Sequence, residues 1–85
     1  MLLIATKSPF VKQLPTAPTN SVLLLTQDSV IAVTQSFDLT VFTHVYALQS
    51  DLEARGLMVT NSDIEVIDIA KFVKLTENHQ PIVNW

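Results

Sequence analysis

Short apolar runs recur along the chain and are separated by segments with helical signals. The third and fourth predicted strands lie in 41–48 (centred on 45–48) and 64–67, and the first two, 2–6 and 22–25, are apolar runs with little alternation between apolar and polar positions. Such runs are typical of strands that are buried on both faces, as in a parallel sheet. The last four residues, 82–85, either add an edge strand or dock on the core.

The segments between the first three strands contain helix signals of unequal strength. Ser8-Pro9 supplies an N-cap and a first helical position, and Pro15 ends that short helix. Residues 30–33 are ambiguous, because their β-branched side chains favour a strand. Asp28 or Ser29 is nevertheless a suitable N-cap, and the alternation of strands and helices favours a helix over 29–35.

The remaining two helices have clearer boundaries. Residues 50–53 match a capping box, which predicts a helix over 51–55 with Ser50 as its N-cap. Asp51 and Arg55 are spaced to form an i, i+4 pair, and Gly56 suits a left-handed C-terminal position. The last helix starts at a cap provided by Asp68, ends before Pro81, and places on one face Ile69, Phe72, Val73 and Thr76.

This order of elements predicts one α/β domain over residues 1–85. We expect an open, mostly parallel sheet of four strands, with a fifth edge strand if residues 82–85 join it, and helices on both faces. The right-handed crossover rule favours the strand order 2-1-3-4.

Composition bears on partners and location. Of the 85 residues, 48% are apolar and 15% are charged, so a small core leaves apolar surface that suits an oligomer or a hetero-complex better than a monomer. The net charge of −3 argues against direct binding of nucleic acid. No basic n-region precedes the first apolar run, and no run approaches the roughly 20 residues of a membrane helix, so we expect a cytoplasmic protein away from membranes.

The chemistry available to the chain is limited. It contains no cysteine, which excludes thiol, persulfide and zinc–thiolate chemistry on these residues, and its one glycine, Gly56, excludes a glycine-rich phosphate loop. His44 and His79 lack metal-ligand spacing, and Glu65 and Asp68 are better explained as a strand-end charge and a helix cap. We therefore expect no catalytic constellation, no metal and no cofactor.

Polar residues directly follow the predicted strands, where the ligands of open α/β sheets gather. They predict a rim that contacts a partner or a ligand, formed by Ser8, Gln27, Asp28, Gln49 and Ser50. Helix capping also explains Ser8, Asp28 and Ser50. It does not explain Gln27 and Gln49, which are the stronger candidates.

Taken together, the segments resemble the DsrH/TusB family of small subunits in sulfur-relay complexes. The resemblance spans nearly the whole chain and rests on blocks in the family's order: Ser8-Pro9-Phe10, residues 23–30 (LLLTQDSV), 45–48 (VYAL), 51–57 (DLEARGL), Ile67-Asp68, 72–76 (FVKLT) and Trp85.

That resemblance implies a DsrE-like fold and a place beside TusC/DsrF-like and TusD/DsrE-like subunits in a heterohexamer of two trimers. In the Tus system such complexes pass persulfide sulfur toward 2-thiolation of the wobble uridine of tRNAs, and in the Dsr system similar proteins serve sulfur oxidation. The carrier subunits place their cysteine at the end of the third strand, before an Arg-Gly pair; the matching position here is Leu48. The cysteine that some DsrH-type proteins have in the N-terminal region is also absent.

The prediction is therefore a non-catalytic, cysteine-free subunit of a sulfurtransferase complex that works through its surface. Phe10, Phe72 and Trp85 are the expected packing or interface residues. The resemblance favours a complex that acts in tRNA wobble-uridine 2-thiolation. One alternative is a stand-alone homo-oligomer of the same fold that binds a ligand or protein at the strand-end rim, around Gln27 and Asp28, and another is a subunit of a sulfur-oxidation relay.

Overall fold

Five parallel strands form one sheet in the computed structural model, which describes residues 1–7, 20–34, 42–59, 63–79 and 81–84. The strands are β1 (Leu2–Ala5), β2 (Ser21–Leu25), β3 (Phe42–Leu48), β4 (Ile64–Ile67) and β5 (Ile82–Asn84). A 3-10 helix (Gln27–Thr34) follows β2, and the α-helices are α1 (Gln49–Ala54) and α2 (Ile69–Asn78). The α/β class and the fifth edge strand are confirmed. The predicted helix that begins at Ser8-Pro9 and includes Phe10 lies outside the described residues, as does Trp85 at the other end of the chain.

The spatial order of the strands is β4-β3-β2-β1-β5. The predicted order 2-1-3-4 is wrong. The right-handed crossover rule relates the direction of each step to the face that its connection covers, and the sequence does not reveal that direction. The chain steps one way from β1 to β4, so the connections after β2 and β3 share a face. It then returns across the sheet to β5, so α2 covers the opposite face.

Two apolar cores result, one on each face. The first contains Leu3 and Ala5 of β1 with Val30 and Val33 of the 3-10 helix and Leu52 of α1. The second contains the alternate β1 residues and side chains of β2, β4 and α2, among them Leu2, Ile4, Val22, Leu24, Ile67 and Leu75. Because both faces of β1 and β2 are covered, every position in these strands is buried. This is the physical reason for their unbroken apolar runs.

The ambiguous segment after β2 is helical, as predicted, but it begins at Gln27 and has 3-10 geometry. Side chains three residues apart lie one above the other in a 3-10 helix. That spacing turns two pairs of side chains toward the core: Ser29 with Ala32 and Val30 with Val33, all of them buried. The period of three therefore suits this short sequence.

Helix α1 begins without a capping box. Its N-cap is Leu48, whose side chain makes no capping hydrogen bond, and the predicted role of Ser50 is wrong. Strand β3 leads into the helix with no intervening loop, so Ser50 already lies inside the first turn. The other end is as predicted: Gly56 has φ +63°, and the N–H of Leu57 donates to the carbonyl of Leu52 at 3.0 Å, which closes a Schellman-type end.

Helix α2 has the predicted cap but a different buried face. The carboxylate of Asp68 accepts the Lys71 N–H at 2.9 Å. Leu75 is buried and Phe72 half-buried, whereas Ile69 and Val73, predicted on the core face, are 62% and 48% exposed. Helical periodicity defines neighbouring stripes on a helix. The stripe that packs on the sheet is the one that contains Leu75 and Phe72.

Candidate functional site

A cleft of about 360 Å³ lies at the carboxyl ends of the strands, beside the first turns of α2. Its apolar lining consists of Ile4, Leu48, Ile69 and Phe72. Its polar lining consists of Thr6, Thr26, Gln27, Asp51 and Asn84. The polar residues follow or end four strands, namely β1, β2, β3 and β5, whose carboxyl ends the parallel arrangement brings to one edge of the sheet.

The topology explains why a cleft opens at this edge. The connection after β3 leads to α1 on one face, and the connection after β4 leads to α2 on the other. Where neighbouring strands send their connections to opposite faces, a crevice forms outside their carboxyl ends. Leu48 at the end of β3 and Ile69 at the start of α2 lie on either side of this switch point.

The turn after β2 is held against β1 by buried hydroxyl groups. The Thr26 hydroxyl donates to the Ala5 carbonyl at 2.9 Å. The Ser29 hydroxyl oxygen accepts the Thr26 N–H at 2.8 Å and lies 2.7 Å from the carbonyl oxygens of both Ala5 and Thr26, to one of which it donates. These bonds set the position from which Gln27 reaches the cleft.

Gln27 itself has a left-handed backbone, with φ +51°. That conformation is costly for a residue with a side chain. The carboxylate of Asp51 stabilises it by accepting the Gln27 N–H at 2.8 Å. Arg55 lies beside the same carboxylate at 3.6 Å and pairs with Asp28 at 3.0 Å, so α1 and the start of the 3-10 helix are joined through charged groups.

The predicted rim residues are not all at the cleft. Gln27 lines it. Asp28, Gln49 and Ser50 are exposed near this edge but are absent from the lining; Asp28 pairs with Arg55, and the Gln49 amide donates to Glu53 at 3.1 Å. Ser8 lies outside the described residues. Whether these residues contact a partner stays a prediction.

Sequence reasoning missed several residues of the lining. Thr6, Thr26 and Asn84 were not singled out, although each lies at or just after the end of a strand, the signal that identified Gln27. Asp51 was seen only as half of a helical ion pair. No local pattern reveals its bond to Gln27, which is 24 residues away along the chain.

Leu48 occupies the floor of the cleft and is only 7% exposed. With Ile4 and Phe72 it forms an apolar surface beneath the polar side chains. A leucine at this point can pack against a neighbour but supplies neither a nucleophile nor a proton donor.

A second group of side chains lies on the α2 face of the sheet. The rings of His44 and Tyr46 stack, with centroids 6.0 Å apart and planes 12° from parallel. Burial, and after it the nearby carboxylate of Glu65, raises the pKa of the Tyr46 phenol above its ordinary value. Among the described residues, no group of three or more acidic or histidine side chains could hold a metal ion. Within the same residues, no helix is long and apolar enough to cross a bilayer.

Comparison with known proteins adds a family. A family model described as DsrH like protein matches residues 7–82. Among curated proteins, Protein TusB from Serratia proteamaculans (strain 568) is 45% identical over an alignment 69 residues long, which covers 74% of this chain and 73% of that protein.

Proposed function

The chain belongs to the DsrH family, and on that basis we propose that it is a cysteine-free subunit of a sulfur-relay complex. The observation that supports this most directly is the 45% identity to a protein named TusB over most of both chains. Within such a complex, this subunit contributes surface and leaves the chemistry of sulfur to its partners.

The residues of this chain agree with a subunit that does not itself carry persulfide sulfur. A persulfide carrier needs a thiolate that can attack and be attacked. The chain has no cysteine, and the position that the family resemblance matches to the carrier cysteine is Leu48, which is buried. Any persulfide in the assembly therefore resides on another subunit.

Exposed apolar side chains support assembly with partners. Ile69 and Val73 lie one helical turn apart on α2, and Val83 is exposed on the edge strand β5. Apolar side chains that remain on the surface of so small a domain are suited to burial against another chain. We propose that the partners are TusD/DsrE-like and TusC/DsrF-like subunits, of which the first bears the carrier cysteine.

The same proposal extends to the pathway and the compartment. We propose that the complex acts in the 2-thiolation of wobble uridine in tRNA, which the resemblance to the Tus system implies, and that it does so in the cytoplasm. The formal charge of −3 assigns recognition of the polyanionic tRNA to other subunits.

Co-expression with candidate partner subunits tests the proposal. We expect this chain to co-purify with a TusC-like and a TusD-like protein in one particle, measured by native mass spectrometry. After loading with labelled sulfur, the label should appear on the cysteine of a partner. In cells, deletion of this chain should lower 2-thiouridine in tRNA, and expression of the chain should restore it.

The alternative function predicts a different outcome of the same experiment. The cleft at the strand ends favours a stand-alone protein that binds a ligand. Such a protein would elute as a homo-oligomer in the presence of the candidate partners, and tRNA thiolation would be unaffected by its deletion. That pair of results would refute the assignment to the relay.

A further inference from the structure

The cleft has an apolar floor and a polar edge, and neither is explained by sulfur relay. Ile4, Leu48 and Phe72 supply the floor. Gln27 and Asn84 supply side-chain amides at its edge. The volume of about 360 Å³ lies in the range typical of sites for small molecules, which are mostly apolar with a few placed polar groups.

The charge of the lining narrows the class of ligand. Asp51 is the one charged residue among those that line the cleft in the described part of the chain. One of its oxygens accepts the Gln27 N–H, and the other lies 3.6 Å from the guanidinium of Arg55. Among the described lining residues an anion would find no cation, and a cation would find a carboxylate that is already compensated. The lining therefore favours an uncharged molecule.

The amides define the polar edge of that molecule. Gln27 and Asn84 are exposed, and among the described residues neither side-chain amide has a hydrogen-bond partner, which leaves both amides open to a ligand in that part of the structure. Each primary amide offers two donor hydrogens and an acceptor oxygen, a pattern that complements another amide. We propose that the cleft binds a small, neutral molecule with an apolar body and a carboxamide-like edge. The body packs on Leu48 and Phe72, and the edge bonds to Gln27 and Asn84.

Asp51 acts in this site as a positioning residue. Left-handed backbone at a residue other than glycine persists only where its surroundings enforce it, and such strained residues cluster at ligand sites. Here the enforcing contact is the 2.8 Å bond from the Gln27 N–H to the Asp51 carboxylate. Gln27 also lines the cleft, so this bond fixes the backbone at a residue of the lining. This site is additional to the proposed function, because it requires neither a thiol nor a partner subunit.

Three probes of nearly the same shape test the class of ligand. The full chain, labelled with ¹⁵N, is titrated with benzamide, benzoate and benzylammonium, and binding is followed by NMR. We expect benzamide to cause saturable chemical-shift changes at the backbone amides of Thr26, Gln27 and Asn84. Both charged probes should bind at least about tenfold more weakly. Equal affinity for all three, no saturable binding of benzamide, or shifts confined to another surface would overturn the proposal.

Matched variants test the residues. Gln27→Leu removes the amide at nearly constant size, and Gln49→Leu makes the same change at an exposed position outside the lining. We expect Gln27→Leu to weaken benzamide binding about tenfold and Gln49→Leu to leave it unchanged. Asn84→Leu provides a second test if Gln27→Leu unfolds the turn. Unchanged affinity in both cleft variants would refute the site, whatever the result of co-expression with partners.

Discussion

Removing the carboxylate of Asp51 should destabilise the protein more than its position on a short surface helix suggests. In most surface helices an acidic side chain contributes little, because water solvates it well in either state. Asp51 differs because it accepts the backbone N–H of Gln27, a residue held in a left-handed conformation on another element. Asp51→Ala therefore removes a tertiary contact as well as a local ion pair.

The size of the loss follows from two contacts. The 2.8 Å hydrogen bond from the Gln27 N–H to a charged acceptor contributes about 1.5 kcal/mol, at the low end for such bonds because water can reach the exposed turn. The 3.6 Å pair with Arg55, which is 32% exposed, adds about 0.5 kcal/mol. The expected total is about 2 kcal/mol, which lowers the Tm of a domain of this size by about 10 °C.

Urea denaturation followed by circular dichroism measures this loss, with thermal melting as a second readout. The matched control is Glu53→Ala, which removes the same charge from the same helix. In the described residues the Glu53 side chain bonds only to the exposed Gln49 amide, so its loss should cost less than about 0.5 kcal/mol. Asp51→Asn keeps one acceptor oxygen and should fall between the two. If Asp51→Ala costs no more than Glu53→Ala, the tertiary bond contributes nothing and the reasoning fails.

Three other predictions concern the turn, the cleft floor and the stacked pair. Ser29→Ala removes a buried hydroxyl that bonds within the turn after β2, and we expect urea denaturation to show a loss of about 1–2 kcal/mol; a loss below about 0.5 kcal/mol would contradict the contacts described. Leu48→Cys places a thiol where burial disfavours the thiolate. We expect it to be alkylated at least about tenfold more slowly than the thiol of Met58→Cys, because position 58 is 81% exposed. Equal rates would show that the cleft floor is open to solvent. Tyr46 is the one tyrosine, so the absorbance of tyrosinate follows its titration alone. The raised pKa predicts a titration midpoint above the usual value of about 10. In Glu65→Gln this midpoint should move only part of the way back, because burial is the larger cause of the raised pKa. Because the pKa of Tyr46 is higher in the folded than in the unfolded protein, its contribution to the free energy of unfolding is complete below about pH 10 and is lost as the pH rises through the folded pKa. A titration midpoint at or below the usual value would refute this prediction.

The strands were predictable because their signal is local. A strand covered on both faces needs an apolar residue at every position, and β1 and β2 meet that condition without exception. Gly56 and Asp68 were equally readable, since a left-handed helix end and an N-cap each depend on a few neighbouring residues. Gln27 was found for a related reason, because it directly follows a strand.

Other features were not readable because they depend on pairs of residues far apart in sequence. The resemblance to a capping box at Ser50 was misleading, since β3 continues to Leu48 and leaves no residue free to act as a loop. The face of α2 was assigned to the wrong stripe because its rotation depends on how the helix crosses the sheet. The contact between Asp51 and Gln27 has no sequence signature at all.

The family blocks, the apolar runs and the lack of cysteine established the α/β class, the DsrH relationship and the absence of a thiol on this chain. These depend on residue identity and on short-range periodicity, which the linear chain contains in full. Tertiary structure decided the strand order, and with it the switch point between β3 and β4. It also decided which polar side chains face the cleft beside Leu48, because that selection depends on the spatial arrangement of strand ends and not on their spacing along the chain.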